Sequence, residues 1–343
     1  MIIKSIKYIL LPLSFLYGVI MDIRNLFYDW GIFKSYKFDV PIISVGNITA
    51  GGTGKTPFVI WLAKKLSRKY EKIAVISRGY GRDSKGLLEV SDYRNPRKFG
   101  DEPCLIAVSV PQAAVIVSEN RKKAIDYALI KKNADLIILD DAFQHRSVRR
   151  DADIVLLNAK EKLKANFPIP SGRLREFRHN LKRGDMFILT HSEGGFSERA
   201  VLPDRPSFKS SGRITDALNR RFDTIGEING FSGIKAAAFS AIAHPQNFKN
   251  YLKEKGIIVE KYFSFRDHYS YKAEDIRKIV KEARDSNCGV IFCTEKDMVK
   301  IAALQETAEN ENIPLYALRY EVDIEDEKNL LKKISDHIDK NTK

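Results

Sequence analysis

The sequence predicts a mixed α/β fold, in which a mostly parallel β-sheet is flanked by helices and a second, smaller α/β domain follows. Short apolar runs alternate with amphipathic stretches over residues 37–200, and a similar series begins near residue 233. Continuous apolar runs separated by helices are typical of parallel strands that are buried on both faces. We therefore expect two α/β domains along the chain.

The first domain is predicted to span residues 37–200. Its strands are expected at Pro41–Val45, Ile73–Ser77, Ala113–Val117, Leu136–Leu139, Ile154–Asn158 and Met186–Thr190. Its clearest helices are expected at Phe58–Arg68 and Arg121–Lys131, where apolar residues recur at helical spacing. Strands that alternate with helices in this way indicate β–α–β units.

Residues 201–232 interrupt this pattern, because they are rich in glycine, serine, proline and charge. Two strand-like runs near Ser207–Thr215 and Arg221–Ile228 predict a hairpin-like connector. Residues 233–343 are expected to form the second α/β domain, since strand-like runs such as Val290–Cys293 again alternate with helical stretches.

Composition restricts the range of partners. The chain of 343 residues carries a formal net charge of +14 at pH 7, which favours an anionic partner: a nucleic acid, a membrane surface or a phosphorylated substrate. The sequence shows no zinc pattern, basic–aromatic interleaving or recognition helix, so no nucleic-acid partner is expected. The three cysteines give no disulfide framework, and we expect reduced, structural thiols.

Residues 1–36 are predicted to form an amphipathic helix that lies at a membrane interface. The uncharged run Ile9–Met21 follows Lys4 and Lys7, is interrupted by Pro12, and is shorter than the ~18–20 apolar residues of a spanning helix. Apolar residues recur at helical spacing, and basic flanks are typical of interfacial helices. The alternative is a helix that packs on the protein's own core.

The strongest chemical signal is a glycine-rich loop between a predicted strand and a predicted helix. Such a loop turns backbone N–H groups toward phosphate oxygens, and the helix N-terminus favours negative charge. Lys55 would neutralise the β- and γ-phosphates, and the Thr56 hydroxyl would bind Mg²⁺. Thr49 stands where the usual pattern begins with glycine. The residues expected to bind the nucleotide are Thr49, Ala50, Gly51, Gly52, Thr53, Gly54, Lys55 and Thr56.

An acidic pair follows a later apolar run, Leu136–Leu139. P-loop proteins place a carboxylate near the magnesium ion at the end of such a strand. Asp140 and Asp141 are therefore candidate metal-side residues, and either could be the nearer one. Together with the glycine-rich loop, this pair predicts a P-loop NTPase-type sheet with ATP and Mg²⁺ as cofactors.

Two classes of P-loop protein fit the loop. The run Ala50–Thr56 resembles the loop of membrane-associated partitioning ATPases, but those proteins have a signature lysine where this chain has Ala50. Further blocks point to a second class: Val45–Thr49, Gly51–Pro57, Ser77–Arg82, Gly100–Pro103, Asp140–His145, Pro170–Glu176, Asp267–Tyr269 and Thr294–Asp297. With these blocks in this order, the chain resembles the tetraacyldisaccharide 4′-kinases more closely.

The resemblance implies transfer of the γ-phosphate of ATP to the 4′-hydroxyl of a tetraacyldisaccharide 1-phosphate, a lipid A precursor. The implied partners are this acylated glucosamine disaccharide 1-phosphate and an anionic membrane surface, at the cytoplasmic face of a Gram-negative inner membrane. The protein would be peripheral or monotopic there. Two positions depart from the family pattern: Ala142 replaces a usual glycine and Phe177 a common proline.

The resemblance also implies the residues that act on the acceptor. Asp101 and His268 would form the acid–base pair, and either could take the hydroxyl proton. They lie in different predicted domains, so their meeting would place the site in a cleft that domain closure assembles. Gln144 is a candidate for orienting the acceptor. Arg173 and Arg78 are candidates for binding the substrate 1-phosphate or the migrating phosphoryl group.

Overall fold

The computed structural model describes residues 9–163, 166–191, 202–302, 304 and 313–341. In chain order the helices are α1 (Leu11–Asp29), α2 (Lys55–Leu66), α3 (Pro96–Phe99), α4 (Asp101–Ser109), α5 (Arg121–Lys132), α6 (Pro245–Glu254), α7 (Ala273–Asp285), α8 (Glu295–Ile301) and α9 (Glu327–Asn341). The strands are β1 (Ile42–Asn47), β2 (Ile73–Ser77), β3 (Leu88–Glu89), β4 (Ala114–Val117), β5 (Leu136–Asp140), β6 (Ala152–Asn158), β7 (Met186–Thr190), β8 (Ser207–Leu218), β9 (Thr224–Glu227), β10 (Lys235–Ser240), β11 (Ile258–Ser264), β12 (Val290–Thr294) and β13 (Leu315–Ile324). These elements confirm a mixed α/β fold with mostly parallel strands.

The chain divides into two compact units. Unit 1 comprises Met1–Arg78, Gln112–Ser211 and Val322–Lys343, and unit 2 comprises Gly79–Pro111 and Gly212–Glu321. Residues 79–111 therefore group with unit 2, although they fall inside the predicted range 37–200. The reason is that α4 packs against α8, a contact between segments that are distant in sequence.

Unit 1 is built on a parallel sheet in the order β4–β2–β5–β1–β6–β7–β8. Strand β1 lies between β5 and β6 and is buried at every residue, as expected for a central parallel strand. Gly46 is required near its end, because a Cβ atom there would lie 2.5 Å from the backbone nitrogen of Phe143. The loop that follows β1 leaves the sheet at its carboxyl edge, which is where parallel α/β sheets bind ligands.

In unit 2 the parallel strands lie in the order β11–β10–β12–β13. Helix α7 buries Ile276, Ile279, Val280 and Ala283 in the core beside these strands. This one-sided spacing is typical of an amphipathic helix. Strands β8 and β9 form an antiparallel pair within residues 207–227, which agrees with the strand pair expected in that region.

Helix α1 has one face packed on unit 1 and one apolar face exposed. Ser14, Gly18 and Asn25 are buried, and the missing side chain of Gly18 makes room for the ring of Phe177. Phe177, which departs from the family pattern, thus fills a space against this helix. The exposed apolar side chains are Ile9, Leu13, Phe15, Leu16, Ile20, Ile23, Leu26 and Trp30. Among the described residues, no helix combines the length and hydrophobicity needed to cross a bilayer.

Candidate functional site

The glycine-rich loop of unit 1 joins β1 to α2. Gly51 and Gly54 have φ angles of 113° and 77°, which residues with a side chain rarely adopt, and Gly54 is the N-cap of α2. The Asn47 side chain donates to the Thr49 carbonyl at 2.7 Å and to the Thr53 hydroxyl at 2.9 Å. The shape of the loop is therefore fixed by contacts within the protein.

Residues 173–175 run beside this loop. Thr49 and Leu174 form an antiparallel bridge, and the Ala50 N–H donates to the Arg173 carbonyl at 2.6 Å. The Arg173 guanidinium in turn donates to the Ala50 carbonyl at 2.7 and 3.0 Å and remains half-exposed. The structure thus places Arg173 against the loop, and its Nη1 also lies 3.7 Å from Glu161 Oε1.

Asp141 lies between two cations. Its Oδ1 is 3.4 Å from Lys55 Nζ and 2.7 Å from Arg175 Nη1. Burial by itself would raise the pKa of Asp141, but the charges of Lys55 and Arg175 hold it below its ordinary value. Asp141 is therefore ionised at neutral pH and faces the lysine that was predicted to bind phosphate. Arg175 was not assigned a role from the sequence.

Asp140 has a different environment from its neighbour. It is buried at the end of β5, opposite Val45 of β1 in the sheet register. Its Oδ2 accepts a hydrogen bond from the Ser77 hydroxyl at 2.9 Å, and its backbone carbonyl accepts one from Arg121 at 3.1 Å. Both aspartates thus lie at the carboxyl edge of the sheet, beside the strand that leads into the loop.

Gln144 belongs to a buried polar network. Its Nε2 donates to the Asn47 carbonyl at 3.0 Å and to Glu176 Oε1 at 2.9 Å. Glu176 has no exposed surface and also accepts hydrogen bonds from Asn25 of α1 and from Arg183. The sequence offered one signal for Glu176, its place in the block Pro170–Glu176. Nothing in the local pattern pointed to Asn25.

In unit 2, Asp101 and His268 meet. Asp101 is the first residue of α4, and its Oδ2 lies 3.1 Å from His268 Nδ1. The hydrogen bond with Asp101 raises the pKa of His268, while burial and the charge of Lys296 oppose this effect. Both residues belong to the same compact unit, so the expectation that they come from separate domains is corrected. The predicted ranges 37–200 and 233–343 place Asp101 in one domain and His268 in the other.

Lys296 and Lys300 of α8 also face Asp101 and were not predicted from the sequence. Lys296 Nζ lies 3.5 Å from Asp101 Oδ2, and Lys300 Nζ lies 3.9 Å from the same atom. The only signal for Lys296 was its place in the block Thr294–Asp297. Arg78, in contrast, is exposed at the end of β2.

Comparisons with known proteins identify a family for the whole chain. A family model described as tetraacyldisaccharide-1-P 4′-kinase matches residues 6–339. A tetraacyldisaccharide 4′-kinase of Chlorobium phaeobacteroides is 40% identical over 317 residues, covering 88% of each chain. The enzyme of that name from Aquifex aeolicus is 37% identical over 329 residues, covering 95% of this chain and 97% of its own. A crystal structure of the apo form of LpxK from Aquifex aeolicus in complex with ATP superposes with a TM-score of 0.81 at 36% identity, covering 98% of this chain and 100% of that one.

Proposed function

Because the chain belongs to the tetraacyldisaccharide-1-phosphate 4′-kinase family, we propose that it transfers the γ-phosphate of ATP to the 4′-hydroxyl of a tetraacyldisaccharide 1-phosphate, a lipid A precursor. The observation that carries this proposal is the glycine-rich loop, whose Lys55 faces the ionised Asp141 at 3.4 Å. Lysine and backbone amides in this arrangement bind the phosphates of a nucleoside triphosphate.

Transfer of labelled phosphate tests the proposal directly. The purified protein is incubated with γ-labelled ATP and an acylated glucosamine disaccharide 1-phosphate in detergent micelles, and label in the lipid is measured. We expect label in the lipid that depends on both substrates. A partitioning or scaffold ATPase would instead consume ATP without an acceptor, so ATP hydrolysis with no labelled lipid would contradict the kinase assignment.

In the proposed mechanism, unit 1 binds the nucleotide. Residues 49–56 surround the phosphates, and the Arg173 guanidinium beside Ala50 contacts the transferred phosphoryl group. Thr56, Asp140 and Asp141 are the residues that would hold Mg²⁺, because they would supply the hard oxygen donors that this ion prefers. When bound, Mg²⁺ would neutralise charge on the β- and γ-phosphates. Arg78 stays a candidate for contact with substrate phosphate.

Removal of the loop lysine tests the nucleotide half of this mechanism. We expect Lys55→Met to weaken ATP binding by about tenfold to a hundredfold, because a charge-assisted hydrogen bond contributes ~1.5–3 kcal/mol. Calorimetric titration with ATP measures the change. Lys64→Met, on the exposed face of the same helix, is the matched control and should bind ATP as the wild type does. Equal affinity in both variants would contradict the role of Lys55.

Unit 2 supplies the acid–base pair for the acceptor. We propose that the acceptor hydroxyl loses its proton to the Asp101–His268 pair while its oxygen attacks the γ-phosphorus. The transition state of phosphoryl transfer is loose, so the group that accepts the hydroxyl proton needs correct positioning more than high basicity. The bond from the γ-phosphorus to the bridging oxygen breaks, and ADP is the leaving group.

We further propose that helix α1 holds the protein on the anionic cytoplasmic face of the inner membrane, where the lipid substrate lies. Its exposed face carries Phe15 at 65%, Leu16 at 59% and Ile20 at 53% exposure. An apolar helix face of this kind inserts into the headgroup region, so the acyl chains of the substrate need not be extracted into water.

Gln144 has a separate proposed role. Its side chain contacts the Asn47 carbonyl and Glu176, which also binds Asn25 of α1, and we propose that it orients groups near the nucleotide.

Acidic substitutions on the exposed face of α1 test the membrane contact. We expect Leu16→Asp together with Ile20→Asp to lower binding to phosphatidylethanolamine–phosphatidylglycerol vesicles by at least about tenfold, since burial of each apolar side chain contributes ~1.5–3 kcal/mol. Vesicle flotation measures the bound fraction. Ile130→Asp, at an exposed apolar position on α5, is the control and should leave flotation unchanged. Unchanged flotation of the double variant would contradict the proposal.

A further inference from the structure

The inner face of helix α1 carries polar side chains that reach two segments of the candidate site. The Tyr17 hydroxyl donates to the backbone carbonyl of Arg175 at 3.1 Å, and Arg24 Nη2 donates to the backbone carbonyl of Gln144 at 2.5 Å. All four residues belong to unit 1. Because both acceptors are main-chain oxygens, these bonds fix the course of the chain at two site residues.

The side chains of the two residues held in this way face the glycine-rich loop. Gln144 Nε2 donates to the carbonyl of Asn47, the last residue of β1, at 3.0 Å. Arg175 Nη1 donates to Asp141 Oδ1 at 2.7 Å, and the same oxygen lies 3.4 Å from Lys55 Nζ. Each donor on α1 is therefore separated by one residue from a group beside the phosphate-binding loop.

Both donors on α1 keep their protons at neutral pH. Burial raises the pKa of Tyr17, so its hydroxyl stays protonated. Burial lowers the pKa of Arg24 and the charge of Glu176 opposes this effect, but a guanidinium remains charged in either case. Its Cζ also lies 5.9 Å from the centre of the Tyr28 ring. Hydrogen bonds in such partly buried surroundings are stronger than those in water.

We propose that Tyr17 and Arg24 are positioning residues for nucleotide binding. From the inner face of α1 they hold the main chain at Gln144 and Arg175, so that the side chains of these two residues stay beside the phosphate-binding loop. This inference rests on the proposed function and deepens it, because it gives α1 a part in the nucleotide site. The inner face serves the nucleotide, and the outer face serves the membrane.

Calorimetric titration with ATP in the presence of Mg²⁺ tests the inner face. We expect Tyr17→Phe to weaken ATP binding by about threefold and Arg24→Met by about tenfold, because a charged donor contributes more than a neutral one. Arg24→Lys keeps a charged donor and should bind ATP more tightly than Arg24→Met. The matched controls, Tyr70→Phe after the end of α2 and Lys64→Met on its exposed face, should bind ATP as the wild type does.

Vesicle flotation separates this role from the membrane contact. Tyr17→Phe and Arg24→Met should bind phosphatidylethanolamine–phosphatidylglycerol vesicles as the wild type does. The outer-face variant, Leu16→Asp with Ile20→Asp, should lose flotation and keep its ATP affinity in detergent. Thermal unfolding of each variant shows that the protein is folded at the temperature of the titration. If Arg24→Met does not fold, Tyr17→Phe decides, since it removes one hydroxyl and keeps the ring.

The outcomes separate the inference from the proposed function. Wild-type ATP affinity in the inner-face variants would overturn the inference, and a lower unfolding midpoint with that affinity would show that α1 contributes packing alone. Equal losses of ATP affinity in the inner-face and outer-face variants would also overturn it, because the effect would then belong to the whole helix. Failure of the wild type to label the lipid acceptor would instead overturn the proposed function, whatever the ATP affinities of the variants.

Discussion

Asp101→Asn is expected to lower the rate of phosphate transfer to the lipid acceptor by about a hundred- to ten-thousand-fold, the usual contribution of a general base. Asparagine keeps the size of the side chain but removes the carboxylate, so the Asp101–His268 pair loses the charge that helps it take up the hydroxyl proton. Burial alone would raise the pKa of Asp101, but the hydrogen bond from His268 and the charge of Lys296 hold it well below its ordinary value. The wild-type carboxylate is therefore ionised throughout the neutral range, and its titration imposes no loss of activity there.

Initial rates of labelled-lipid formation measure this effect, and a calorimetric titration with ATP accompanies them. ATP affinity should be retained, because Asp101 is not among the residues of the phosphate-binding loop. Asp285→Asn, at an exposed position on α7, removes the same charge from unit 2 and should leave the rate unchanged. A rate for Asp101→Asn within about tenfold of the wild type would remove Asp101 from the chemistry.

Glu176→Ala is expected to lower the free energy of unfolding of unit 1 by about 3–5 kcal/mol, because it leaves a buried cation without its partner. Glu176 is fully buried, and its carboxylate accepts from Arg183 Nη2 at 2.8 and 3.0 Å and from Asn25 Nδ2 at 2.9 Å. The Arg183 guanidinium also stacks over the ring of Phe143 at 4.6 Å, so it cannot easily reach water. Thermal unfolding in detergent should show a midpoint lower by roughly 6–20 °C.

An exposed pair provides the control for this prediction. Glu325 bonds to Lys209 at 2.9 Å with more than half of each side chain exposed, and Glu325→Ala should change the free energy of unfolding by less than about 1 kcal/mol. Burial would raise the pKa of Glu176, but Arg183 and its other donors lower it. Its stabilising contribution is thus complete above the unfolded pKa of ~4.3 and is lost as the pH falls through the folded value. Similar effects of both variants at pH 7 would contradict this account.

The sheet and the nucleotide loop could be predicted from the sequence because their signals are local. Strand β1 is a continuous apolar run, and Gly51, Gly54 and Lys55 follow it at fixed spacing. The strands near Ile73, Leu136, Ile154 and Met186 were found for the same reason, since buried parallel strands are apolar on both faces. Their order in the sheet required the structure.

The acid–base cluster could be predicted only in part. Asp101 and His268 came from resemblance to a family, and the structure brings them to 3.1 Å. Lys296 could not be predicted, because a lysine in the first turn of a helix is usually solvated. Its burial follows from the packing of α8 against α4, which the local sequence does not indicate. The grouping of residues 79–111 with unit 2 also depends on that packing. No composition change in the sequence marks the boundary.

The polar contacts of α1 determine which changes to this helix the rest of the protein can accept. Asn25 fills one position around the Glu176 carboxylate, and Arg24 donates to the Gln144 carbonyl at 2.5 Å. Helix α1, whose outer face is apolar and exposed, thus also contacts the residues behind the phosphate-binding loop. Removing the helix would leave the Glu176 carboxylate without its Asn25 donor and the Gln144 carbonyl without its Arg24 donor. A water-soluble version is better made by replacing exposed apolar side chains one at a time, with the inner face of the helix left intact.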